Sequence, residues 1–147
     1  MATTAADEQS AQTLHALACA AGQRVAFSVE ALRELLENLS VRRPLVVIDR
    51  TALEATNAAD RLHASLTGTS ASEFGAFHPN PAVADALAAG QQARAHKADG
   101  VVAIGGGSCI DTAKVAALSA TRGPEREAWL AVNEAPLPLP IVAIPTT

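Results

Sequence analysis

The sequence predicts an α/β fold, a Rossmann-like parallel sheet flanked by helices. Three observations predict it. First, "LVVID" (45–49), "GVVAI" (100–104) and "PIVAI" (140–144) are short, continuous apolar runs, as in strands covered on both faces. Second, stretches with helical apolar spacing separate these runs, which is the alternation of βαβ units. Third, Gly105, Gly106 and Gly107 stand between the end of one such strand and the start of a helix.

The elements follow in order. "QTLHALACAAG" (12–22) places apolar residues at 14, 17, 18 and 21, a helical spacing that Gly22 ends. "RVAF" (24–27) is a short strand candidate. Ser28 can cap "VEALRELLENL" (29–39), where Leu32, Leu35, Leu36 and Leu39 form one apolar face. Pro44 leads into the strand "LVVID". "EATNAADRLHASL" (54–66) reads as one helix and "SEFGAF" (72–77) as a weak strand. "HPNP" (78–81) is a rigid turn, because proline holds its own φ and keeps the preceding residue extended. "AVADALAAGQQARAHK" (82–97) is a helix that tolerates Gly90. The strand "GVVAI", the helix "SCIDTAKVAALSA" (108–120), a short helix "EREAWLAV" (125–132) and the strand within "PLPLPIVAI" (136–144) complete the chain. Residues 1–23 read as a helical extension and 24–147 as the α/β domain. The chain stops directly after a buried strand, where a parallel sheet normally leads into another element, so this end reads as cut.

Composition narrows the classes. The 147 residues suffice for one core, and that core is poor in large anchors, with three Phe, one Trp and no Tyr. Net charge is −4 and no Lys/Arg stripe appears, which argues against a nucleic-acid partner. No long apolar run suggests a membrane span. Asp7 and Glu8 occupy the region where a signal peptide carries positive charge. Cys19 and Cys109 lack metal-type spacing, and a reducing cytoplasm is the expected location. His15, His63, His78 and His96 show no H-x-x-x-H spacing, so surface or capping roles are expected of them. Trp129 reads as a packing anchor, and Glu125, Arg126 and Glu127 as a solvated first turn.

The chemistry concentrates at the glycine run. Ligands of open α/β sheets bind beyond the carboxyl ends of the strands. Glycines there let a ligand approach without a Cβ in the way, and the following helix offers unpaired N–H groups and positive dipole charge. That combination suits a pyrophosphate. Ser108 can act as N-cap and phosphate ligand, and Ser108-x-x-Asp111 resembles a capping box. The alternative is a tight strand-to-helix turn capped by the same two residues. Lys114, read as a cation in the first helical turn, needs a partner: Asp111, or a bound anion. Asp49 ends a strand and can accept hydrogen bonds from both adenine-ribose hydroxyls, or stand as a solvated turn residue. It precedes the glycines rather than following them by about 20 residues, so a standard Rossmann order is not expected. Cys109 lies near a helix N-terminus, which lowers a thiol pKa, but packing is its expected role.

Three motifs together, "PNP" (79–81), "VVAIGGGSCIDTAK" (101–114) and "PLPIVAIPTT" (138–147), resemble the N-terminal half of the iron-containing (group III) alcohol dehydrogenases. "LVVID" falls where that family has an early strand ending in Asp. The resemblance covers roughly residues 24–147 and extends to glycerol dehydrogenases and, more distantly, dehydroquinate synthases. It implies an NAD(P)-binding α/β domain followed by an all-helical domain that holds Fe²⁺ or Zn²⁺ through an Asp and three His, none of which can be assigned in this chain.

The resemblance further implies cofactor contacts at Asp49 (adenosine ribose), at Asn80 in the PNP turn, and along the loop of Gly105, Gly106, Gly107 and Ser108 (pyrophosphate). Thr146 and Thr147 would lie near the nicotinamide half, and Asp111 belongs to the same motif. Asp49 favours NAD over NADP, an effect that Arg50 would partly offset. The implied partners are the dinucleotide, a small alcohol or aldehyde, and further copies of the full-length chain. The family's "FGxG"-like segment reads "FSVE" here, with Ser28 and Glu30 in place of glycines. Two readings remain open: the cofactor-binding part of a dehydrogenase, inactive without its metal half, or a stand-alone nucleotide-binding module. A glycerol or polyol enzyme is a third.

Overall fold

The computed structural model describes residues 24–25, 28–125 and 138–146. Within them lie five parallel strands: β1 (Arg24–Val25), β2 (Pro44–Ile48), β3 (Ser72–Phe74), β4 (Gly100–Gly105) and β5 (Ile141–Pro145). The helices are α1 (Leu32–Asn38), α2 (Arg50–Ala55), α3 (Ala59–Leu66), α4 (Val83–His96) and α5 (Gly107–Arg122). The expected helices at 12–22 and 125–132, with Trp129, lie outside the described residues.

The sheet order is β1-β5-β4-β2-β3. β2 and β4 occupy the middle and are buried along their whole length, as their unbroken apolar runs require. Their alternation divides the core. Val46, Ile48, Val102, Ile104, Val142 and Ile144 face Leu32 and Leu36 of α1, Leu53 of α2, and Leu62 and Leu66 of α3. Leu45, Val47, Val101 and Ala103 face the alanines of α4 and α5. Leu32 and Leu62 are almost wholly buried, and truncating either to Ala would cost about 2–5 kcal/mol. The alanine layer lets α4 and α5 approach closely. A Cβ at Gly90 would overlap Ser119 Oγ and lie 3.2 Å from Ser119 Cβ. Gly90 is therefore a helix-contact residue, not merely a tolerated glycine.

The entries to the two middle strands are tied together by Asp99, whose carboxylate accepts from Arg42 N at 2.9 Å and Arg43 N at 2.7 Å. These two bonds join the start of β2 to the start of β4.

Three local expectations are corrected. The stretch 54–66 is not one helix: Asn57 takes a left-handed φ of 50° and separates α2 from α3. Asparagine adopts that conformation at low cost. α1 begins at Leu32, and Ser28 Oγ accepts instead from Ala31 N at 3.4 Å in the turn before it. Asn80, expected to be extended ahead of Pro81, has a φ of 52°.

Candidate functional site

All strands are parallel, so the ends of β2, β3, β4 and β5 share one edge. The strand order reverses between β2 and β4: β3 lies on one side of this pair and β5 on the other. Such a reversal leaves a crevice, because the segments leaving the two strands diverge to opposite faces. Asp49 follows β2 and the glycine run follows β4, so the two groups flank that crevice. This explains how an acid that precedes the glycines in sequence still sits beside them. Asp49 N donates to Ile104 O at 2.9 Å, locking the two exits together.

A cavity of about 400 Å³ opens here, lined by Asp49, Arg50, Thr51, Gly75, Phe77, Pro79, Gly106, Gly107 and Ser108 among others. Ligand pockets have that size. Asp49 is the N-cap of α2, with Oδ1 accepting from Ala52 N at 3.1 Å. Oδ2 remains as an acceptor.

The glycines divide the work. Gly105 is buried and does not line the cavity. A Cβ there would stand 2.7 Å from Cys109 Cβ and 2.8 Å from Asp49 Cβ, so Gly105 permits the close approach of the two exits. Gly107 is exposed, and a Cβ there would meet nothing within 4 Å.

The helix cap differs from expectation. Gly106, not Ser108, is the N-cap of α5, and no side chain caps this helix. The first intrahelical bond is Ile110 N to Gly106 O at 3.1 Å. The N–H groups of Gly107, Ser108 and Cys109 precede it and are left for another acceptor. The expected capping box does not form. Ser108 Oγ accepts instead from Asn80 N at 3.2 Å, which pins the PNP turn onto the glycine loop. The left-handed φ of Asn80 belongs to that turn.

Asp111 and Lys114 form an exposed pair at 3.3 Å and line no part of this cavity. Lys114 is the eighth residue of α5, beyond its first turn, so no anion is needed to balance it. Cys109 is buried and its thiol donates to Val47 O at 3.2 Å. Burial pushes the thiol up to about 11, which overrides the helix terminus and makes it a packing residue.

A second cavity of about 440 Å³ lies at the same edge, lined by Ser28, Glu30, Thr56, Arg61, Ile144, Pro145 and Thr146 among others. Glu30 pairs with Arg61 at 3.2 Å. The Glu30 carboxyl is held below its usual value, first by its own backbone N–H, then by the Ser28 hydroxyl and Arg61. Thr146 N donates to Gly105 O at 3.2 Å, so this cavity adjoins the glycine turn. Thr146 Oγ1 is buried without a hydrogen-bond partner, the single such side-chain atom among the described residues. A buried hydroxyl in that condition calls for a partner that a ligand can supply. Thr147 lies outside the described residues.

Gly75 and Phe77 were not singled out from sequence. Their signal was available: both follow a strand, and in a parallel sheet the residues after a strand reach the ligand edge. Among the described residues no three His, Cys, Asp or Glu side chains group together as metal ligands do. No helix among them is long and apolar enough to cross a membrane.

Comparison with known proteins agrees with this fold. A 4-hydroxybutyrate dehydrogenase of Cupriavidus necator is 33% identical over 125 residues, covering 82% of this chain and 32% of the relative. An iron-containing alcohol dehydrogenase of Thermotoga maritima superposes with a TM-score of 0.71 at 28% identity, covering 85% of this chain and 36% of that one. A sulfoacetaldehyde reductase of Bifidobacterium kashiwanohense, solved in complex with NAD⁺, gives 0.67 at 26% identity, covering 85% and 34%. The chain thus spans about a third of the length of the relatives it matches. The family model described as "Iron-containing alcohol dehydrogenase" matches residues 23–147, and the chain belongs to that family.

Proposed function

We propose that this chain holds the nicotinamide dinucleotide of a metal-dependent enzyme that interconverts a small alcohol and its aldehyde or ketone, with NAD favoured over NADP. The observation that carries the reading is the shared cavity: Asp49 on one wall, the uncapped start of α5 on the other. In this reading Asp49 Oδ2 accepts from the adenosine ribose hydroxyls, and its charge repels a 2′-phosphate. The N–H groups at Gly107 and Ser108 receive the pyrophosphate, with Gly106 keeping the approach open. Ser108 keeps its O–H proton for a phosphate oxygen, because its bond with Asn80 uses only an acceptor site. Thr146 Oγ1, together with Thr147, meets the nicotinamide half.

When bound, the nicotinamide ring supplies the hydride acceptor or donor. The chain's contribution is to fix its position and face. The described residues do not make a metal site, so no metal-assisted step is assigned to them.

Calorimetric titration of the chain with NAD⁺ and NADP⁺ tests the reading. NAD⁺ should bind, and more tightly than NADP⁺. Tighter binding of NADP⁺ would overturn the role of Asp49, and no binding of either at millimolar concentration would overturn the site.

A further inference from the structure

Arg50 is the first residue of α2 and lines the same cavity as Asp49. An arginine there is suited to a 2′-phosphate, for which its planar fork of donors is a good match. Its guanidinium is engaged elsewhere. Nη2 lies 3.0 Å from Glu73 Oε2, on the neighbouring strand β3. The backbone supports this bridge. Gln92 Nε2 donates to Glu73 O at 2.8 Å and to Ser72 Oγ at 2.8 Å, holding β3 against α4. The arginine stem passes beside Gly75, where a Cβ would lie 3.5 Å from Arg50 Nε, an ordinary contact distance.

We propose that Glu73 is a specificity-determining residue that withholds the Arg50 guanidinium from a 2′-phosphate and thereby reinforces the preference for NAD. This rests on Asp49 marking the adenosine ribose. Glu73 does not line the cavity. It acts through Arg50 and through local charge. With Glu73 present, Asp49, Arg50 and Glu73 sum to one negative charge beside the ribose, and without it they sum to zero. The other carboxylate oxygen, Oε1, is 3.8 Å from His63 Nε2, so Glu73 carries two basic neighbours while Asp49 stands next to the cavity. The Glu73 side chain is 32% exposed and that of Arg50 63%, so solvent screens the pair and its removal leaves the fold intact.

The test is calorimetry on the full chain with NAD⁺ and NADP⁺ as probes, for the wild type, Glu73→Gln and Glu73→Gln/Arg50→Gln. Glu73→Gln should tighten NADP⁺ about fivefold, the scale of a partly exposed charge interaction, with NAD⁺ changed less than about twofold. The double variant should lose the gain, because it removes the freed arginine and with it the change in local charge. The proposal is overturned if Glu73→Gln moves both dinucleotides equally or neither, or if the gain survives loss of Arg50. A wild type that binds NAD⁺ while Glu73→Gln leaves NADP⁺ unmoved sinks the Glu73 inference alone. A wild type that binds neither dinucleotide sinks the site and this inference together.

Discussion

Replacing Gly105 with alanine puts the architecture of the site to a quantitative test. The added Cβ would sit 2.7 Å from Cys109 Cβ, 2.8 Å from Asp49 Cβ and 3.1 Å from Cys109 Sγ. Carbon atoms in good contact stand about 3.5–4.0 Å apart, so two contacts overlap by roughly 1 Å. Neither Cβ is the end of a flexible side chain. Relief requires the start of α5 and the exit of β2 to move apart, and overpacking of this kind costs about 1–3 kcal/mol. Two nearly immovable contacts put Gly105→Ala at the upper end. Urea denaturation should therefore show a loss of about 2–3 kcal/mol. Calorimetry should show weaker NAD⁺ binding, because Asp49 and α5 no longer face each other across the crevice. Gly107→Ala is the control. Its Cβ meets nothing within 4 Å, so stability should hold within about 0.5 kcal/mol while the methyl obstructs the approach of a phosphate. A Gly105→Ala protein with the wild-type urea midpoint would refute the close approach on which the site depends.

Three further outcomes are expected. Asp49→Asn should keep the cap on α2, since asparagine caps as well as aspartate. Thermal denaturation should be unchanged, while the NAD⁺/NADP⁺ affinity ratio falls about tenfold, the worth of roughly 1.4 kcal/mol. Gly90→Ala should lower the melting temperature despite alanine's better helix propensity, because of the overlap with Ser119. Adding Ser119→Ala should restore part of the loss, and no restoration would mean that the overlap with Ser119 Oγ is not its cause. In a Cys19→Ser background, Cys109 should resist thiol reagents at pH 8 until the protein unfolds. Its thiol is pushed from 9.0 to about 11 by burial, so the unfolded state ionises first. Stability should then decline as pH rises through about 9–11, and rapid labelling of the folded protein would contradict the burial.

The sequence alone determined the class of fold and the position of its central strands, because burial on both faces imposes continuous apolar runs such as 45–48 and 101–104. It also located the glycine loop and Asp49, since strand ends in a parallel sheet are where ligands bind. Several features depended on the tertiary structure. Only the strand order brought Asp49 to the glycine turn, because adjacency in a sheet is decided by crossovers and not by chain distance. Only the start of α5 showed that Gly106 is the cap, which turns Ser108 from a cap into the anchor of the PNP turn and leaves the helix amides open. Asp111 kept its sequence-level explanation as the partner of Lys114, an interaction set by helical spacing alone. The division among Gly105, Gly106 and Gly107 could not be read from three identical letters. It follows from what a Cβ would meet at each position, and that is a property of the neighbours that folding brings there.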